Sequence, residues 1–505
     1  MSPTPIGARM GVGLAAAAVS LGVTQAVAAF FSPAADARTA VGTSVINLTP
    51  GPVKEWAIQT FGTANKTFLT IMVVVALGAI LAVAAIWERS RIPLGSLAIT
   101  AAAAAGALAV LAQPGAGPAD LIPTVIGAAC GIGAMRLLTR PASEPASEGA
   151  DPGRRRSLLT LGLLGAGALG GVAGNILTRQ RRSVAGDRES FSLPAATDPA
   201  PPIPPAVQPP ADGLPTFVTD NADFYRIDTA LSVPQISRTD WTLRIHGMVA
   251  QEVVYTFDDL KQFDVVERAV TLACVSNPVG GNLISNAVWT GYRVRDLLAR
   301  SGIRAEADMV MSTSHDGFTA GTPVEALTDD RDALLAIGMN GVPLPVEHGY
   351  PARLVVPGLY GFVSATKWVV DLELTRFDRA EAYWTKLGWS AKAPIKTQSR
   401  IDVPRNGARV AAGWLTIGGV AWAQARGIKA VEVRIDDGPW RPARLGAGYS
   451  NDTWRLWTFE WKTTPGRHSV TARATDNTGA VQTEQPAPPA PDGATGWPTI
   501  SVEVK

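Results

Sequence analysis

The strand-like run Ala269-Val-Thr-Leu-Ala-Cys274 breaks into Val275-Ser-Asn-Pro-Val-Gly-Gly-Asn282. Proline and paired glycines turn a chain rather than extend a strand, so Cys274 stands at a strand-to-turn junction. The chain has two cysteines, and Cys274 is the one outside an apolar, membrane-like segment. A lone thiol placed there suits a nucleophile, a one-cysteine metal ligand, or a spare cysteine packed like any small apolar residue.

Reading outward narrows these choices. Thr271-Leu-Ala-Cys-Val-Ser-Asn277 is followed by Asn286-Ala-Val-Trp-Thr-Gly-Tyr-Arg-Val-Arg-Asp-Leu-Leu298. Further on stand Asp332-Ala-Leu-Leu-Ala-Ile-Gly-Met-Asn-Gly-Val-Pro-Leu-Pro345, His348-Gly-Tyr-Pro-Ala-Arg-Leu-Val-Val-Pro-Gly358 with Lys367-Trp368, and finally Asp452-Thr-Trp-Arg-Leu-Trp457. In this order, over residues 216 to 505, the blocks resemble the sulfite oxidase family of molybdopterin enzymes. The last block is similar to that family's immunoglobulin-like dimerisation domain.

The resemblance implies a site. Cys274 would give the thiolate that binds molybdenum, a soft ligand beside the two sulfurs of the pterin. His348 and Arg353 match positions that hold the cofactor, and Lys367 with Ala365 and Thr366 matches the loop that grips its phosphate. Tyr225 and Arg226, within Asp223-Phe-Tyr-Arg-Ile-Asp228, fall in the first cofactor-contacting segment, Ser314 in another, and Asn277 beside the cysteine. Sulfite oxidases continue Asn-Arg-Arg after the cysteine, whereas this chain has Asn277-Pro278-Val279. A second arginine expected near Trp497 is replaced by Pro491-Asp492-Gly493, and a tyrosine position is taken by Lys386, a candidate to stabilise a substrate oxygen or donate a proton. Sulfite is a dianion that arginines neutralise, so a stripped cage favours another small substrate.

Composition sets outer bounds. At 505 residues, two or more domains are expected. A net charge of +2 with 17% charged residues argues against a nucleic-acid partner. Cys130 lies in an apolar span and Cys274 in a soluble part, so no disulfide is expected. His246, His315, His348 and His468 all follow the last apolar run, so the membrane part is not a histidine-ligated cytochrome and no haem is expected. Without a haem or iron–sulfur motif, electrons would pass to a separate partner or a quinone pool.

Apolar runs at about 11–31, 67–87, 93–112, 121–138 and 157–177 approach the roughly 20 residues a bilayer requires. Five spans with an inner amino terminus put Arg89, Arg91, Arg136, Arg140 and Arg154-Arg-Arg156 in cytoplasmic loops and the remainder outside, while Arg179, Arg181 and Arg182 fall on the outer side against the rule. Arg154-Arg-Arg-Ser-Leu-Leu159 is read as a twin-arginine signal, or else as ordinary anchor charges.

The expected fold is an α-helical membrane domain, then an α+β molybdopterin domain, then an all-β immunoglobulin-like sandwich. The divisions are 1–182 for the membrane domain, 183–215 for a proline-rich linker acting as a semi-rigid tether, 216–376 for the catalytic domain, 377–400 for a connection, and 401–505 for the sandwich. No phosphate-binding glycine fingerprint follows a strand, which disfavours a nucleotide fold. The functional reading is a membrane-anchored, extracytoplasmic molybdopterin oxidoreductase acting on a small molecule, with a homodimer permitted by its last domain. The rivals are a sulfite dehydrogenase with a rearranged anion site and a cofactor-free adhesion or scaffold protein.

Overall fold

The computed structural model describes residues 5–61, 64–88, 93–140 and 152–505. The chain forms two compact units, Met1–Ser183 with Ala230–Val233, and Val184–Thr229 with Pro234–Lys505.

In the first unit, the helices Ile6–Ala28, Asn65–Ala85, Leu94–Leu111, Ile122–Thr139 and Pro152–Arg182 carry the five apolar runs. Each is long and apolar enough to cross a membrane. The first begins several residues before the apolar run, directly after Pro5. These helices pack through small residues, because a Cβ on Gly22 would stand 2.0 Å from Gly167 O and one on Gly127 1.9 Å from Thr24 Oγ1. Such close backbone approach holds apolar helices together where hydrophobic burial offers little. Two further helices, Ala37–Leu48 and Gly51–Phe61, were not anticipated. Asp36 starts the first of them, its Oδ1 accepting from the amides of Arg38 and Thr39 at 3.1 and 3.2 Å. Arg182, one of the arginines that strained the topology rule, donates to the carbonyls of Ala28, Phe31 and Ser32 at 2.9–3.0 Å. It thereby satisfies orphan carbonyls at the end of the first helix. Arg89 and Arg91 lie outside the described residues.

The second unit holds the strands. One sheet runs Val253–Thr256, Thr242–Gly247, Val369–Thr375, Met309–Ser314 and Thr319–Pro323. The pair Thr242–Gly247 with Val369–Thr375 is parallel and the other pairs are antiparallel. A second, antiparallel sheet runs Val265–Ala273, Ile284–Arg293, Leu334–Met339 and Val342–Pro343, with Arg353–Val355 also pairing to Leu334–Met339. Leu334–Met339 and the second half of Val265–Ala273 are buried, which is why Leu334–Met339 and Ala269–Ala273 read as largely apolar runs rather than as alternations. Trp289, Leu272, Phe224 and Tyr350 form the core around them.

The C-terminal sandwich has a four-stranded and a five-stranded sheet. Trp457, Phe459 and Trp461 from one and Val431, Val433, Val470 and Val502 from the other meet in a single core. Asp436 turns its hairpin with φ of 51° and accepts from the Ser469 amide at 2.8 Å.

The proline-rich segment expected as a tether instead lies against the body of this unit. Residues 185–189 form a helix, Thr197 N donates to Val265 O at 2.8 Å, and Ala447 N donates to Ala206 O at 2.8 Å. Asp198 pairs with Arg268 and Arg293, and the Tyr449 hydroxyl donates to Pro201 O at 2.6 Å. Its backbone keeps the extended proline geometry, as at Pro204 (φ −67°, ψ 139°), but extended chain with free carbonyls is also good material for packing on a surface.

Candidate active site

Cys274 follows directly on the buried strand Val265–Ala273 and is itself buried. Its amide donates to Leu283 O at 2.9 Å, and its carbonyl accepts from the Asn277 amide at 3.1 Å. Asn277 locks the turn: its Oδ1 accepts from the Leu283 amide at 2.9 Å. Gly281 is required there, since a Cβ would stand 2.4 Å from that same oxygen.

The strand is held from the C-terminal domain. Thr271 N donates to Asp452 O at 2.9 Å, Trp454 N to Thr271 Oγ1 at 2.8 Å, and Gln424 Nε2 to Thr271 O at 3.0 Å. The Asp452-Thr-Trp454 block thus hydrogen-bonds to the strand three residues before the cysteine. Thr271 Oγ1 in turn donates to the buried Asn286 at 2.9 Å, so this polar contact is satisfied at both ends.

Around the turn the structure gathers most of the expected cofactor residues. Tyr225 is close enough to both Cys274 and Arg353 to feel their charge, and burial raises its phenol well above the ordinary range. Arg353 is buried over the Trp289 ring at 5.0 Å, and its guanidinium donates to the carbonyls of Leu354, His348 and Ala365 at 3.2–3.3 Å. Burial lowers its pKa to about 10. His348, buried against the edge of Phe224, pairs with Asn221 O at 3.1 Å. Burial first, then Arg353 and Lys367, push it down to about 4, so it is neutral at pH 7.

Lys367 donates to Asp228 Oδ2 at 2.7 Å and to Glu347 O at 3.2 Å, and burial brings it down to about 8 against the opposing pull of Asp228. Arg226 shares the same carboxylate oxygen at 2.9 Å. Sequence reasoning placed Asp228 in the right segment without a role, because its partner Lys367 is far along the chain. Gly349 (φ 114°) lets the loop pass over this pair, since a Cβ would lie 2.9 Å from Arg353 Cβ and 3.2 Å from Lys367 Cβ. Thr366 is buried and bonded to Ser312 at 2.7 Å, and Ala365 N donates to Gly361 O at 2.9 Å.

These observations fit an anionic, polar group. Arg353 and Lys367 are both buried, and Asp228 pairs with Lys367 and the partly exposed Arg226 while Arg353 is held by carbonyls alone, leaving buried positive charge that an anion would offset. Ser314 Oγ is buried with no hydrogen-bond partner among the described residues, a cost that a ligand would remove. Lys386 differs: it sits exposed in the short helical turn Thr385–Leu387, and no described side-chain contact joins it to this cluster. Among the described residues no three His, Cys, Asp or Glu side chains converge as a metal cage.

Residues missed in the sequence are Tyr360 and Gln398, which line a narrow cleft with Asn277 and Pro278. Burial raises Tyr360 to about 12, with Cys274 adding to the shift.

Comparison with known proteins agrees with the geometry. Residues 230–384 match the oxidoreductase molybdopterin binding domain, and residues 398–482 match a bacterial Ig domain. Human mitochondrial sulfite oxidase is 28% identical over 321 residues, covering 54% of this chain and 58% of that protein, so the chain spans a little over half the length of this relative. The sulfane dehydrogenase SoxCD of Paracoccus pantotrophus matches 57% of this chain and 81% of its own at 25% identity, with a TM-score of 0.49. The uncharacterized oxidoreductase YuiH of Bacillus subtilis (strain 168) is 32% identical over 151 residues, covering 30% of this chain and 73% of YuiH. With its cysteine turn, its cationic cluster, the domain match over residues 230–384 and the 32% identity to YuiH over 73% of that protein, the chain belongs to the family of oxidoreductases with a sulfite oxidase-type molybdopterin-binding domain.

Proposed function

We propose that the chain is a membrane-anchored molybdopterin oxidoreductase whose catalytic part faces outward and acts on a small substrate other than sulfite. The observation that carries this reading is the pair of buried cations, Arg353 held by carbonyls alone and Lys367 on Asp228, in the cluster with Tyr225 and Cys274. Arg353 and Lys367 would hold the pterin phosphate, Tyr225, Ser314, His348, Ala365 and Thr366 would line the pterin, and the Cys274 sulfur would ligate molybdenum. When bound, the cofactor supplies two-electron chemistry coupled to movement of an oxygen atom. The protein's part is to keep the Cys274 turn rigid through Asn277 and Thr271 and to hold His348 neutral, as a hydrogen-bonding partner and not a charge.

Five apolar helices support anchoring, and the arginines at 154–156 before the last of them suit export of a folded catalytic part. Electrons would leave to a separate carrier or the quinone pool. Sulfite oxidation is the second reading, favoured by the name of the human relative. Elemental and pterin analysis of the purified full chain, followed by an oxyanion, sulfoxide and N-oxide panel, tests the proposal. A protein without molybdenum or pterin refutes it, and fast sulfite oxidation promotes the second reading.

A further inference from the structure

The last apolar helix ends at Arg182, and the second unit opens with the short helix Ala185–Glu189. Two side chains of this short helix grip one loop at both ends. At the near end, Arg188 Nε donates to Leu344 O and its Nη2 to Pro343 O, both at 2.8 Å. At the far end, Asp187 Oδ2 accepts from the hydroxyl of the fully buried Tyr350 at 2.6 Å. The same carboxylate accepts from the Arg238 amide and guanidinium at 2.9–3.1 Å. Burial alone would raise the Asp187 carboxyl, yet the Tyr350 and Arg238 donors outweigh it and hold it below its ordinary range. Between the two grips the loop carries only the short helical turn Val346–His348. Its inner carbonyls meet the buried cations: Glu347 O accepts from Lys367 Nζ and His348 O from Arg353 Nη1, each at 3.2 Å.

We propose that the helix Ala185–Glu189 is a clasp on the cofactor loop, with Asp187 and Arg188 as positioning residues that act through Tyr350 and the backbone of 343–350 to set Lys367 and Arg353 for their anionic ligand. The inference rests on the molybdopterin reading for the identity of that ligand. A buried phenol that loses its acceptor is left unsatisfied, and a loop without a strand ladder answers by moving. Any such movement displaces the carbonyls of Glu347 and His348, on which both cations rest. A contact that only fastened this stretch of chain to the body would instead cost stability and leave cofactor release alone. Asp198 supplies that comparison, because its pairs with Arg268 and Arg293 fasten a later part of the same stretch to other strands.

The test uses the full chain purified in detergent with its cofactor, at a temperature where circular dichroism shows every variant folded. Release of molybdenum and pterin is timed after gel filtration. Tyr350→Phe should speed release about tenfold and Asp187→Ala by at least as much, while the double variant should be no faster than Asp187→Ala, because both substitutions remove the same bond. Asp198→Asn should leave release unchanged. Unchanged release in both single variants, additive effects in the double variant, or equal acceleration by Asp198→Asn overturns the proposal. If Asp187→Ala does not fold, Tyr350→Phe against Asp198→Asn still decides. A sample purified without molybdenum or pterin fails the cofactor reading instead, and hydrogen exchange then judges the clasp. The His348 and Gly349 amides, bonded to Pro345 O and Val346 O, should exchange about tenfold faster in Tyr350→Phe, and equal exchange overturns the proposal.

Discussion

Two clusters border Cys274, and they are built on opposite electrostatic plans. Around Arg353 and Lys367 positive charge is buried in excess, at the cost of lowering both pKa values. Around Tyr360 and Gln398 the neighbouring cations are each matched by a carboxylate, and the lining is amide, phenol and apolar. A buried surplus suits a ligand that stays, because its desolvation is met once, during assembly. The neutral side buries no unmatched charge and so carries no comparable cost.

The sharpest way to break this comparison is to remove the group between the two clusters. Cys274→Ser should lower turnover per protein by at least about a hundredfold and alter or remove bound molybdenum, because a hydroxyl is a harder and weaker-donating ligand. Metal analysis beside steady-state rates checks this, with circular dichroism to confirm the fold. Next in size, Arg353→Ala and Lys367→Ala should each weaken cofactor retention by roughly 10- to 150-fold, the worth of a charge-assisted hydrogen bond of about 1.5–3 kcal/mol. Here the rate per bound molybdenum should stay near normal, so the ratio of activity to metal separates cofactor retention from turnover.

The third prediction sharpens the same cluster by pH. Lys367 is held down to about 8, so its ammonium is charged at pH 7 and lost as pH rises through that value. Binding of an anion to cofactor-free protein should be flat below about pH 8, then weaken by up to about tenfold per pH unit. Pyrophosphate titrations from pH 6.5 to 9.5 would read it, and Lys367→Arg should remove the dependence. The smallest effect is expected on the neutral side. Val279, half-buried with its Cγ2 3.7 Å from where a Gly496 Cβ would sit, is the position where the resemblance to sulfite oxidases leads one to expect an arginine. Val279→Arg should raise sulfite turnover several-fold by adding an unpaired guanidinium, measured with sulfite and an artificial acceptor.

Much of this was legible in the chain. Apolar runs of spanning length became helices, the Ala269–Cys274 run became a buried strand ending at the cysteine, and the alternation at Val431, Val433 and Ile435 became a sandwich strand. These are local patterns, read off neighbouring residues. What stayed hidden depends on pairs distant in sequence. Asp228 meets Lys367 across 139 positions, and Gln424 meets Thr271 across 153. No periodicity announces either. The segment around Pro204 misled for a related reason: proline frequency dictates an extended backbone, but not whether that backbone hangs in solvent or lies on a surface. Lys386 was singled out by its position in a motif, and its exposure could not be read from the chain.

The hydrogen bonds between Thr271 and Asp452, Trp454 and Gln424 also set a schedule for biosynthesis. During translation the cysteine strand leaves the ribosome well before the residues that brace it. Until those last residues emerge, the Thr271 amide and carbonyl have no partners in the C-terminal domain. A prosthetic group that depends on a rigid Cys274 turn therefore cannot be seated stably while the chain is still growing. Loading would follow the emergence of residues 424–454, and a nascent chain stalled before residue 424 should bind none.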